Sequence, residues 1–120
     1  MFVPTAYVGS SNTWDSATGK PILPIMEWPR LRALADSGWE MAGHTRTHPH
    51  LESLDDAVAL AEISGGRADL ESGVGAPVQT FCYPFGTYGP NTPALVRNAG
   101  FLAACTTKSG LARAGMDPFL

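Results

Sequence analysis

The sequence predicts an α/β fold of parallel strands joined by helices, and three observations predict it. Strand-like and helix-like segments alternate from Phe2 to Thr106 in the order β-α-β-α-β-α-β. Proline stands near the start and glycine at the end of two of the helix-like segments, the asymmetry that helix termini favour. The two clusters of chemical interest, His44-Thr45-Arg46-Thr47-His48-Pro49 and Pro84-Phe85-Gly86, each follow a strand-like run, where α/β folds place their sites. Alternation alone is compatible with part of a (β/α) barrel or with an open doubly wound sheet. At 120 residues the chain is the size of one domain or a piece of one, short of the about 250 of a complete (β/α)8 barrel.

Taken in order, Phe2 to Val8 is rich in Phe, Val, Thr and Tyr, residues that suit an extended chain. A polar loop from Gly9 to Gly19 and the punctuation of Pro21 to Pro24 follow. Pro29 fits the first turn of a helix whose core face is Trp28, Leu31, Leu34 and Ala35, with Gly38 as its C-cap. Trp39 to Ala42 is short and half apolar, as a buried strand is, and the histidine segment follows it directly. Ser53 with Asp56 three residues on reads as a helix start. Ile63, Arg67 and Leu70 then share one side of a helix ending near Glu71. Gly65 and Gly66 weaken its middle by about 1 kcal/mol each relative to Ala. Val78 to Tyr83 is the clearest strand, stopped by Pro84, and Pro84-Phe85-Gly86 forms a tight bend. Thr92 and Pro93 open a helix carrying Leu95 and Val96, Gly100 ends it, and Phe101 to Thr106 is the last strand.

Composition narrows the function. The formal net charge of −3, with no Lys or Arg run, supplies no basic footprint for a nucleic acid or an anionic membrane. No apolar run reaches the roughly 18 residues of a spanning helix, and the first residues lack the basic and apolar regions of an export signal. Cys82 and Cys105 fall in separate strands and permit one disulfide without requiring it; free thiols are the expectation. Neither belongs to a Cys-x-x-Cys pair, which argues against a zinc ribbon or thioredoxin-type chemistry.

His44 and His48 stand four residues apart, a spacing that lets two neutral imidazoles converge on one transition-metal ion. Spacing alone leaves open a surface loop whose histidines meet only solvent. Asp55-Asp56, the only acidic pair, sits in a predicted first helical turn, where it complements the helix dipole.

The two clusters, His44 to Pro49 and Tyr83-Pro84-Phe85-Gly86, resemble motifs of the polysaccharide deacetylases, carbohydrate esterase family 4, also called the NodB homology domain. The resemblance extends over most of the chain. Phe2-Val3-Pro4 looks like the end of the family's second strand, and Trp28 to Gly38 like its W-x-x-L-x-x-L-x-x-x-G helix. Glu62 to Glu71 is similar to the helix after the histidines, and Asn98 to Phe101 to the next helix-to-strand turn.

The resemblance implies a partial, distorted (β/α) barrel, residues 1–120 forming a single domain of that type. It implies a divalent metal, usually zinc, held by an aspartate and two histidines, here His44 and His48. It implies hydrolysis of N-acetyl groups from an N-acetylglucosamine-containing polysaccharide or oligosaccharide. The backbone N–H of Phe85 would assist as an oxyanion donor, and Tyr83, Pro84, Phe85 and Gly86 would contact substrate. Thr45 and Thr47 would brace the loop, His50 would face solvent, and Tyr83 and Tyr88 would either stack on a sugar or belong to the core. The family also implies the cell envelope or the exterior.

Departures from the pattern temper this. No Asp-Asp-Gly, the family's source of base and metal carboxylates, occurs, and no histidine follows His50 to act as general acid. Cys82 stands where an R-x-P-Y motif has arginine, a form nearer the exopolysaccharide and poly-N-acetylglucosamine deacetylases. Asp117 to Leu120 resembles a segment that leads into an L-P-R sequence of that branch. The expectation is therefore a domain truncated at both ends, weakly active or inactive alone. A non-catalytic carbohydrate- or metal-binding remnant is the runner-up, and a structural fragment that associates with a complementary chain is a third reading.

Overall fold

Four short parallel strands, β1 (Phe2–Val3), β2 (Ala42–Gly43), β3 (Thr80–Cys82) and β4 (Ala103–Cys105), form one sheet in the order 1-2-3-4. The computed structural model describes residues 1–111 and 113–120. Phe2 aligns with Ala42, Gly43 with Phe81, and Cys82 with Cys105. The α-helices that connect the strands are α1 (Trp28–Asp36), α2 (Asp56–Val74) and α3 (Thr92–Asn98) among the described residues. Helix α1 packs against α2, and α2 against α3, so the helices share a face of the sheet. A doubly wound sheet reverses its strand order and covers both faces; consecutive order with neighbouring helices is the arc of a barrel.

Some elements are shorter or displaced from their sequence signals. β1 ends at Val3, and Thr5–Tyr7 forms a 3-10 turn. The N–H groups of Thr5 and Ala6 donate to the carbonyls of Thr45 and Arg46 at 3.2 and 3.0 Å, tying this segment to the histidine loop. Helix α1 ends one residue before the expected C-cap: Ser37 caps it, and Gly38 follows in the left-handed region at φ 95°. Ser53 does not start α2: its hydroxyl turns back to donate to the His50 carbonyl at 2.7 Å, closing a 3-10 turn at Leu51–Ser53. The helix begins two residues later behind Asp55 and runs past Glu71 to Val74, with Asp56 in its first turn.

The core is where the apolar periodicity placed it. Ile63 and Leu70 of α2, Val78 and Phe81 around β3, and Val96 of α3 are all fully buried in one cluster. Each such side chain contributes about 1.5–3 kcal/mol relative to an exposed one. On α1, Leu31 is buried while Trp28, Leu34 and Ala35 pack against the core from its edge. Arg67 shares the inward side of α2 by donating to the carbonyls of Val78 and Ala99 at 3.0 and 2.6 Å. Phe119 is buried as well, under Arg97, whose guanidinium lies 4.6 Å from the ring centroid and pairs with Asp117 at 3.0 Å. Cys82 and Cys105 are free thiols on adjacent strands, and burial pushes the Cys82 thiol up to about 12. Among the described residues no helix is long and apolar enough to cross a membrane.

Candidate functional site

The carboxyl ends of β2 and β3 bring the two histidines and the Pro84-Phe85-Gly86 turn together on one rim. His44 follows β2, and its Nδ1 lies 2.7 Å from the carbonyl of Cys82 on the neighbouring strand. A carbonyl only accepts, so Nδ1 carries the proton and Nε2 presents a lone pair. The Nε2 of His48 stands 3.1 Å from the Nε2 of His44. With one of the two donating, His48 Nε2 holds its proton, and its Nδ1, buried without a hydrogen-bond partner among the described residues, has none. Such an orphaned atom costs about 1–3 kcal/mol, a cost of the kind that functional sites carry.

Electrostatics keep both rings neutral. Burial lowers the His44 pKa against the opposing hydrogen bond to Cys82. Burial, then the neighbouring His44, push His48 down to about 4, although the Asp15 carboxylate acts in the other direction. Neutral imidazoles are the form that ligates a metal, and a second-position hydrogen bond like that of His44 fixes the ligating nitrogen.

The loop that carries them is held in an uncommon shape. Thr45 and His48 have φ values of 65° and 57°, in the left-handed region that β-branched threonine rarely enters. Thr45 is fully buried; its hydroxyl donates to the His44 carbonyl at 2.5 Å and accepts from the His48 N–H at 3.0 Å. Thr47 braces through its side chain instead, donating to Glu62 Oε1 at 2.9 Å. Glu62 Oε2 accepts from the N–H groups of Arg46 and Thr47 at 3.0 and 2.8 Å. The Arg46 guanidinium pairs with Asp69 at 2.7 Å and holds that carboxyl below its usual range. Gly66 faces the loop so closely that a Cβ there would stand 2.7 Å from the Thr45 carbonyl carbon and 2.8 Å from its oxygen. The Gly65-Gly66 pair, a weakness by helix propensity, is the seat of the loop.

Aromatic rings enclose the imidazoles. Trp14 stacks on His48 at 4.8 Å between centroids, and Phe85 meets His48 edge-on at 4.6 Å. His50, expected to face solvent, is exposed but lies flat on Phe85 at 3.9 Å and 6°. Phe85 itself has φ 59°, and the turn is closed by the Gly86 N–H donating to Tyr83 at 2.9 Å.

Of Tyr83-Pro84-Phe85-Gly86, only Phe85 reaches the surface. Tyr83 is a core residue, 1% exposed, with its hydroxyl donating to the Phe119 carbonyl at 2.9 Å, and Pro84 and Gly86 are buried beside it. The strand end points Tyr83, Pro84 and Gly86 inward, which leaves Phe85 as the exposed residue of the four. Tyr88 tilts against Tyr83 and accepts from Lys108 Nζ at 2.7 Å. Among the described residues, no third His, Cys, Asp or Glu joins His44 and His48 in a group able to hold a metal. Sequence reasoning missed Trp14, Glu62 and the Cys82 carbonyl. Trp14 carried a usable signal, a lone large aromatic inside the polar loop from Gly9 to Gly19.

Comparison with known proteins follows the same lines. A family model described as polysaccharide deacetylase matches residues 1–104. IcaB from Ammonifex degensii superposes with a TM-score of 0.81 at 22% identity, over 99% of this chain and 52% of that one. A polysaccharide deacetylase from Bacillus cereus gives 0.66 at 26% identity, over 72% of this chain and 27% of that one. A CE4 family pseudoenzyme from Bacillus anthracis gives 0.61 at 14% identity, over 80% and 31%. The chain thus spans about half the length of the IcaB structure. A search of curated protein sequences found no match.

Proposed function

The chain belongs to the polysaccharide deacetylase family, and on that premise we propose that it carries the histidine half of a metal site for removing N-acetyl groups from an N-acetylglucosamine-containing glycan. The observation that carries this reading is the convergence of two neutral imidazoles, Nε2 to Nε2 at 3.1 Å, with His44 tied through Nδ1 to a carbonyl. Two nitrogens bound to one zinc at about 2.0–2.1 Å stand about 2.9 to 3.4 Å apart, so the pair fits such an ion. His44 and His48 would hold it through Nε2, His48 in the tautomer that carries its proton on Nδ1, and zinc is the ion their chemistry suits best.

A divalent ion bound there supplies Lewis acidity, lowering the pKa of water and polarising an acetamide carbonyl. His44 presents Nε2 because its one ring proton, on Nδ1, is committed to the Cys82 carbonyl. Trp14 and Phe85 flank His48 and leave it partly buried, which strengthens polar interactions at its ring. The left-handed turn at Phe85 is the donor position for an oxyanion, through its backbone N–H.

The chain holds no Asp-Asp-Gly and no histidine after His50, so it lacks the family's base and acid. Each such group contributes about 10²- to 10⁴-fold, and the isolated chain is expected to turn over slowly or not at all. Zinc stoichiometry by dialysis and elemental analysis tests the reading on this chain and on His48→Ala. One equivalent in the parent and none in the variant is expected; none in either would sink the metal site. A second reading, a non-catalytic metal- or carbohydrate-binding remnant, is favoured by the lack of a third ligand among the described residues. Saturable binding of N-acetylglucosamine oligomers without acetate release would support it. Acetate release at an ordinary enzymatic rate would overturn it.

A further inference from the structure

We propose that Glu62 of α2 is the positioning residue that makes His44 and His48 converge, an inference that rests on the metal-site reading above. Two left-handed residues, Thr45 and His48, bracket Arg46 and Thr47. The N–H groups of those two inner residues point together at one oxygen of Glu62, at 3.0 and 2.8 Å, while its other oxygen receives the Thr47 hydroxyl at 2.9 Å. Successive amides aimed at one anion form a nest, and a carboxylate filling it favours the turned backbone over the extended one. Bonds to a charged acceptor are roughly twice as strong as neutral ones.

The other supports of the loop act differently. The Thr45 hydroxyl bonds to His44 and His48 within the loop, so it moves with them. Asp69 holds the Arg46 side chain and the Thr5 hydroxyl but no backbone group of the loop. Thr5 and Ala6 bond to carbonyls of Thr45 and Arg46, fixing one edge of the loop and leaving the N–H groups of Arg46 and Thr47 to Glu62. Glu62 is thus the side chain that receives the N–H groups of the two peptide units between the histidines, whose carbonyls accept from Thr5 and Ala6 on the other side. Left-handed threonine persists only where its surroundings over-determine it, and Glu62 adds to that determination from a helix anchored in the core by Ile63.

The test uses the whole chain with Glu62→Ala, Glu62→Asp and Glu62→Gln, and with Asp69→Asn as control. Glu62 is only partly buried and alanine is a good helix former, so α2 persists in the first variant. Aspartate keeps the charge but is one carbon too short to reach the nest. Glutamine can accept both N–H groups with its oxygen and donate from its amide nitrogen to the Thr47 hydroxyl, so it should rescue. In metal-free protein, NMR reads amide exchange at Arg46 and Thr47 and the ring-to-ring contact of His44 and His48. Faster exchange and loss of that contact in the alanine and aspartate variants, with both kept in the glutamine variant and in Asp69→Asn, are expected. An unchanged ring contact in Glu62→Ala, or its loss in Asp69→Asn to the same extent, overturns the proposal.

Zinc titration by calorimetry then separates the two readings. A loss of about tenfold or more in affinity for Glu62→Ala, with Glu62→Gln close to the parent, supports the positioning role. Equal affinity in parent and Glu62→Ala overturns it. A parent that binds no zinc defeats the metal-site reading alone, since the ring contact still decides what Glu62 does.

Discussion

The rim and the core of this molecule are built by opposite rules. In the core, Ile63, Leu70, Phe81 and Val96 are fully buried apolar side chains on regular helix and strand. At the rim, three non-glycine residues of left-handed backbone among those described, Thr45, His48 and Phe85, gather around a buried imidazole nitrogen that has no partner among the described residues. α2 belongs to both regions: Ile63 and Leu70 face the core, while Glu62 and Gly66 hold the histidine loop. The difference teaches that this fold draws stability from one set of residues and places its chemistry with another, one helix linking the two.

The comparison breaks most visibly at Ile63. Truncation to alanine removes a fully buried side chain, and a loss of about 2–5 kcal/mol is expected in denaturant unfolding. Metal binding should disappear only in step with the folded fraction; a site lost while the fold survives would show the core reaching the rim directly.

Gly66→Ala sharpens the boundary. Helix propensity alone would stabilise by about 1 kcal/mol, but the new Cβ meets the Thr45 backbone at 2.7–2.8 Å. A net loss of about 1–3 kcal/mol is expected, together with weaker zinc binding. A more stable protein with unchanged zinc affinity would mean that the loop is free to move away.

Acid should act on the rim next. The His48 pKa is about 4 in the fold against 6.5 unfolded, so between those values the unfolded chain binds the proton first. Metal-free stability should be fully present above about pH 6.5 and fall progressively toward pH 4. His48→Leu should flatten that slope without abolishing it, because His44 is lowered in the same direction. An unchanged slope in urea melts across this range would place the titration elsewhere.

The smallest effect belongs to the Arg46–Asp69 pair at the rim's outer edge, whose side chains are 50% and 34% exposed. Asp69→Asn should cost under about 1 kcal/mol by chemical unfolding, and less still in high salt. A larger, salt-independent loss would give this pair a part in holding the loop.

Much of this was readable from local signals. The alternation of elements, the Pro29 and Gly38 ends of α1, and the burial of Ile63, Leu70 and Val96 follow from periodicities and caps that span a few residues each. The motifs of His44 to Pro49 and Tyr83 to Gly86 announced the family. Ser53 was misleading because a serine three residues before an acidic one signals a helix start wherever its hydroxyl is free, and here the hydroxyl serves the preceding turn. Tyr83 was ambiguous for a similar reason: side-chain type does not say which way a strand end faces.

What the sequence by itself determined is the set of elements, their order and the kind of chemistry two histidines between a strand and a proline can support. Only the tertiary structure decided that the strands pair consecutively as a barrel arc and that the imidazoles meet. It alone turned a helix-weakening Gly66 into a seat. The physical reason is distance along the chain. A cap or an apolar stripe is settled within a few residues, whereas the bond from His44 to Cys82 spans 38 residues and that from Thr47 to Glu62 spans 15. Such contacts exist only once the sheet and α2 have brought their ends together.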